Sequence, residues 1–189
     1  MNMLIDVLPT KVKNINLNTD FRTSILFELL MQDNSLTEEK KVAKAIQLYY
    51  NEVPKNIEIA INNMLWFYKC GKVEENIKKS KSNESNICKI YSYEFDDEYI
   101  YSAFLNQYGI DLQDIKYLHW WKFKAMFKSL KEDNQIVKIM GYRSMKIDNK
   151  TNKEQRKYYE NLKKIYALPD NRTEEEKEQE FAKNLSNLF

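Results

Sequence analysis

Phe21, Ile25 and Leu29, with Leu26 and Leu30 beside them, recur every three or four residues. That spacing predicts a first helix with one apolar side. Val42, Ala45, Ile46 and Tyr49 repeat it after Ser35-Leu36-Thr37-Glu38, whose serine-to-glutamate spacing predicts a capping box. Pro54 separates this helix from a third. There Ile57, Ala60, Ile61, Met64, Leu65 and Tyr68 form the cleanest amphipathic stripe in the chain, with Gly71 as its stop. Upstream, Leu4, Ile5, Val7 and Leu8, then Ile15 and Leu17 in alternation, allow one or two short strands.

From Lys72 to Lys89 the periodicity disappears, and KVEENIKKSKSNESNICK reads as a polar connection with little core-forming capacity. Beyond it, Asp96 or Asp97 caps a helix carrying Ile100, Phe104 and Tyr108, which Gly109 closes. A further helix is expected from about Asp114 to Leu130, followed by the shorter segment QIVKIMGYRSM. Tyr158, Leu162, Ile165 and Tyr166 mark another helix that stops near Pro169. Thr173 and Glu176 form a second capping box ahead of a terminal stripe, Phe181, Leu185, Leu188 and Phe189. The expected fold is mainly α, a multi-helix bundle-like arrangement with the optional N-terminal strands. Its parts are an N-terminal helical half (1–71), the connection (72–90), a C-terminal helical half centred on the HWW helix (91–168) and an acidic amphipathic terminal helix (169–189).

Composition sharpens this picture mainly by exclusion. Three glycines and three prolines disfavour an all-β fold of many tight turns, and they leave no glycine-rich loop for phosphates. Thirty basic residues against 28 acidic ones give a formal charge of +2, too little to imply nucleic acid or an anionic membrane from the overall field. No run approaches the roughly 18 apolar residues of a membrane span. MNMLIDVLPTKV lacks the basic segment and apolar run of a signal peptide. Cys70 and Cys88 could pair in principle, but a reduced, intracellular setting is the expectation.

Candidate chemistry is sparse. His119 is the sole histidine, eight residues past Asp111 and five past Asp114, so a single helix would not place either carboxylate beside it. A structural histidine, satisfying a buried polar contact, is favoured over an acid–base catalyst. One histidine and two separated cysteines cannot assemble a zinc site. Asp96, Asp97 and Glu98 could offer oxygen ligands to Mg²⁺, although helix capping is the simpler reading. Lys124, Lys128 and Lys131 form a basic stripe beside aromatic residues that could stack on bases. Against this, Trp120, Phe123, Phe127 and Leu130 trace an apolar helical face, so a buried helix with a solvated lysine edge is favoured. Basic residues also recur from Lys150 to Lys164, interrupted by Glu154 and Glu160. The stripe Phe181, Leu185, Leu188 and Phe189 either docks on its own domain or offers a helix face to a partner.

The second half also carries a resemblance. EFDDEYIYSAFLNQYGIDL, then YLHWWKFKAMFKSL, then IVKIMGYR, together with DFRTSILFELL from Asp20 to Leu30, resemble a bacteriophage protein family from the tail modules of long-tailed phages and prophages of Gram-positive bacteria. Its most specific element is Tyr108, Gly109, Asp111 and Leu112 followed by His119, Trp120, Trp121 and Phe123. The family occupies the tail-assembly-chaperone position between the tail-tube and tape-measure genes. The resemblance implies a non-enzymatic assembly factor without cofactor or metal that binds the tape-measure and tail-tube proteins. It also implies action in the host bacterial cytoplasm, absence from the mature virion, and a signature that is structural. The alternative is a nucleic-acid-binding or host-interaction module using the lysine stripes. A homo-oligomer remains open. LPTKVKNINLNTD lacks the glycine of the family's N-terminal hairpin, so that turn is expected to be shortened.

Overall fold

A computed structural model describes residues 1–72, 90–147 and 152–169. Among these, the chain is mainly helical. It opens with a two-stranded antiparallel hairpin, β1 (Lys11–Val12) and β2 (Ile15–Asn16). Seven helices follow: α1 (Phe21–Gln32), α2 (Glu38–Tyr49), α3 (Ile57–Tyr68), α4 (Asp97–Tyr108), α5 (Trp120–Lys128), α6 (Gln135–Ser144) and α7 (Lys153–Ile165).

The hairpin turns without glycine. Lys13 and Asn14 both take left-handed backbone conformations, φ 47° and 64°, the combination a two-residue type I′ turn requires. The strands lie later than the first apolar patch: Leu4, Ile5 and Val7 are exposed rather than paired.

Local chemistry also shifts several expected helix features. Ser35 does not cap α2, because its amide and hydroxyl both donate to Asp33 Oδ1, at 2.9 and 2.6 Å. Thr37 becomes the cap residue and Glu38 the first helical one. On α1 the buried face is Phe21, Thr23, Ser24 and Phe27, while Leu26 points outward. The hydroxyl of Ser24 can enter the core because it bonds Tyr49 OH at 2.8 Å. The inner face of α3 is Ala60, Asn63, Met64 and Phe67, rotated from the expected stripe; Ile57 and Leu65 lie outside. Apolar residues run almost all the way round α3, so spacing alone does not choose its inner side.

One core links the described segments. Phe123 on α5 lies parallel to Phe21 of α1 and to Phe104 of α4, each at a centroid distance of 4.9 Å. Trp120 stacks on Phe123 at 5.7 Å and on Tyr68 of α3 at the same distance. The HWW helix thus packs against α1 and α3 as well as α4. Asp96 lies just before α4, and its carboxylate meets Arg143 of α6 through two bonds of 2.6 and 2.9 Å. Arg143 also donates to the carbonyls of Ile90 and Tyr166, drawing the end of α7 to the same point. Asp96 is therefore a buried ion-pair partner rather than a side-chain cap.

Candidate functional site

Residues 108–123 were the most specific part of the sequence, and the structure turns them into a junction between helices. Gly109, at φ 65°, ends α4 in the left-handed conformation. Asp111 then folds the chain back by accepting the amides of Gln113 and Asp114, and it also accepts the hydroxyl of Tyr101. These bonds, the Gln113 amide first, hold its carboxyl below the usual range. The turn is why α5 begins at Trp120 and not near Asp114. Tyr108 closes the far end, its hydroxyl donating to Met126 O at 2.8 Å.

Residues 118–120 run extended alongside 19–21. Phe21 N donates to Leu118 O and Trp120 N donates to Thr19 O, both at 2.9 Å. Two helices start from this one bridge. Asp20 caps α1 through the amide of Arg22 and receives Leu118 N on its other oxygen. Arg22 reaches the carbonyls of Leu112 and Ile115, pinning the turn to α1. His119 caps α5: Nδ1 accepts Trp121 N at 3.1 Å. Its Nε2 lies 3.1 Å from Pro9 O, which can only accept, so the partners assign the proton to Nε2. Burial lowers the His119 pKa, partly offset by the Pro9 bond.

The two tryptophans cap the opposite end of another helix. Trp120 Nε1 donates to Tyr68 O at 2.9 Å and Trp121 Nε1 to Phe67 O at 2.8 Å, both carbonyls in the last turn of α3. Neither carbonyl takes the i+4 amide of a continuing helix, because Gly71 N goes to Trp66 O and Lys72 N to Lys69 O. The indoles fill that place, and Phe67 O also accepts Cys70 N at 2.9 Å. Trp120 and Trp121 are 0% and 2% exposed, and Leu112 and Phe123 are buried with them. Cys70, at φ 57°, takes the left-handed position after α3, and Gly71 N returns to Trp66 O. Sequence reasoning marked Gly71 as the stop, but its second role is space: a Cβ there would sit 2.8 Å from the Trp121 ring.

The α5 lysines sit outside this core. Lys124 lies 5.1 Å from the Trp120 ring centre, with burial lowering its pKa, while Lys128 and, beyond the end of the helix, Lys131 are exposed. Since Trp120, Phe123 and Phe127 all face inward, α5 offers no aromatic surface for stacking bases. Asp96 is occupied by Arg143, and no group of three or more His, Cys, Asp or Glu among the described residues could hold a metal ion. No described helix is long and apolar enough to cross a membrane.

Of the apolar side chains open to solvent among the described residues, two groups stand out. One is a cleft of about 570 Å³ whose floor includes Val42, Ile46, Val53 and Ile57, with Glu38 and Glu39 its charged liners among the described residues. The other is an N-terminal arm, where Leu4, Ile5 and Val7 are 93%, 80% and 91% exposed. A local turn shapes the arm, with Asp6 N donating to Asn2 O at 2.8 Å.

Residues 2–168 match the family described as Bacteriophage Gp15 protein. The chain belongs to that family. No curated protein and no solved structure matches it. The match takes in the whole bridge that carries His119, the arm and the cleft, so both surfaces are parts of the Gp15 domain. Phe181, Leu185, Leu188 and Phe189, with Thr173 and Glu176, lie beyond the matched span and outside the described residues; Cys88 and Lys150 lie within the span but also outside the described residues. Arg22, Arg143, the arm and the cleft were missed in the sequence. Asp20 ahead of the α1 stripe was a readable cap signal; the partners of Arg143 had none.

Proposed function

We propose that this Gp15-family protein is a non-enzymatic tail assembly factor that binds the tape-measure protein, the tail-tube protein or both in the host cytoplasm, and that it is not retained in the mature virion. The observation that carries the reading is membership of a bacteriophage family across residues 2–168. The fold adds a physical means. Apolar side chains held in water on the arm and in the cleft lose unfavourable hydration when a partner covers them. A long, apolar-striped helical protein is exposed to aggregation before it is packaged, and helix-to-helix contacts of this kind can cover it reversibly. Co-expression with the adjacent tape-measure protein, followed by affinity pull-down in moderate and high salt, tests the reading. Capture should persist at high salt, because apolar contacts are not screened. Loss of capture on deleting Phe181–Phe189 would place the contact on the terminal stripe. A tape measure that is soluble alone and never captured would remove the assignment.

A further inference from the structure

We propose that the acidic run Glu174–Glu180 folds back within its own chain onto a lysine surface formed by Lys72, Lys124 and Lys128. Charge is divided unevenly along the sequence. Residues 170–189 carry six acidic side chains against three basic ones, while residues 1–169 carry 22 against 27. Five of those six acids crowd into Glu174–Glu180, with Lys177 the one base among them. The run lies outside the described residues, and charge and reach are what assign its seat.

The receiving surface gathers where α3 and α5 end. Lys124 sits over the Trp120 ring, and Trp120 is bonded to Tyr68 O at the end of α3. Burial pushes the Cys70 thiol up in pKa, and the charges of Lys124, Lys128 and Lys72 act against that, so three ammonium groups share the neighbourhood just past α3. Lys72 and Lys128 are exposed. Among the described residues, the acidic side chain whose charge reaches Lys124 is Glu28, and its carboxylate already accepts the Tyr68 hydroxyl at 2.7 Å. One carboxylate against three cations leaves a positive surface. The connection 73–89 does not reverse its sign, since it holds four lysines and three glutamates.

α7 ends close to this surface. Arg143 donates to the carbonyls of both Tyr166 and Ile90, and Tyr91, one residue further on, receives Lys124 Nζ on its hydroxyl at 3.5 Å. Residues 170–173 add up to about 13 Å of reach before the first glutamate of the run. Single exposed ion pairs are weak, but several on one short tether act at an effective concentration of about a millimolar. Phe181 follows the run directly, so the same contact would bring the terminal stripe beside the chain that carries it.

The contact is independent of which tail protein is bound, and its test uses the full chain alone. A carbodiimide joins a carboxylate to a touching lysine amine as an amide, taking up the lost water as a urea, and mass spectrometry locates the joined peptides. An equal mixture of ordinary and ¹⁵N-labelled protein separates joins within a chain from joins between copies. At low salt, amides should link Glu174–Glu180 to Lys72, Lys124 or Lys128 within single chains. Their yield should fall at least about fivefold in about 1 M salt, where the screening length is roughly 3 Å. Lys72→Glu should lower the yield at Lys128, and Lys128→Glu the yield at Lys72, each at least about threefold. Both positions are exposed, so circular dichroism should match the wild type. Amides formed only between differently labelled chains overturn the proposal in favour of a contact between copies. So does a run that joins other lysines or none at low salt, or a yield that ignores both salt and the two substitutions.

Discussion

Protonating His119 would place an N–H at Nδ1 opposite the amide of Trp121, two donors facing each other where one must accept. The cap on α5 therefore requires the neutral ring, which is the form burial favours. With the folded pKa below the usual 6.5, the unfolded chain takes up a proton first as the pH falls. His119 therefore contributes its full stability above about 6.5, and that contribution is lost as the pH drops from there through the folded value. The thermal midpoint should fall between about pH 7.5 and 5.5, above the range where ordinary carboxylates titrate. His119→Asn, which caps without titrating, should start lower and show a flatter pH dependence over the same window. Parallel slopes would mean that some other group carries the effect. A second contrast sits on two glycines. Gly71→Ala meets the Trp121 ring at 2.8 Å from a backbone at φ 69°, and should cost about 2 kcal/mol or more in urea unfolding. Gly141→Ala, within α6 and with nothing within 4 Å, should stabilise by about 0.5–1 kcal/mol.

Among elements, the described helices other than α6 were legible from spacing, α6 standing out only as a short segment, whereas faces and joints were not. α1 and α3 carry apolar residues around so much of their circumference that their inner sides were chosen by distant partners, Tyr49 for Ser24 and the α5 tryptophans for the end of α3. The start of α5 was hidden for a related reason. Histidine is not among the usual capping residues, and it serves here because a bridge to 19–21 and a carbonyl 110 residues away hold its ring. The Asp96–Arg143 pair spans 47 residues and left no local mark. It also makes a sharp prediction. Arg143→Met would strand a buried carboxylate and should cost about 3–5 kcal/mol, whereas Asp96→Asn combined with Arg143→Met should recover a large part of that loss. Equal destabilisation in the single and double variants, read by urea denaturation, would show that the carbonyl bonds of Arg143 and not its ion pair hold α4, α6 and α7 together.

For the whole molecule, the question is which apolar groups build the fold and which are kept for a partner. Sequence patterning treated Leu4, Ile5 and Val7 like any other apolar run, because spacing does not reveal whether a residue meets a neighbour or water. In the structure the division falls between Val7 and Leu8: Leu8 packs on the core and Pro9 receives His119, while the residues before them stand in solvent. Removing Met1–Val7 deletes almost no buried surface, so the urea midpoint should stay within about 0.5 kcal/mol of wild type. Trp120→Ala, which empties the centre and leaves Tyr68 O unsatisfied, should by contrast cost about 3–5 kcal/mol. If the arm is a binding surface, the truncated protein should remain folded yet capture less tape-measure or tail-tube protein, and the loss should be nearly the same at low and high salt. A truncation that lowers stability by more than about 1 kcal/mol would make the arm part of the fold. A stable truncation with undiminished capture would move the partner to the cleft or the terminal stripe, where Val42→Arg and deletion of Phe181–Phe189 separate the two.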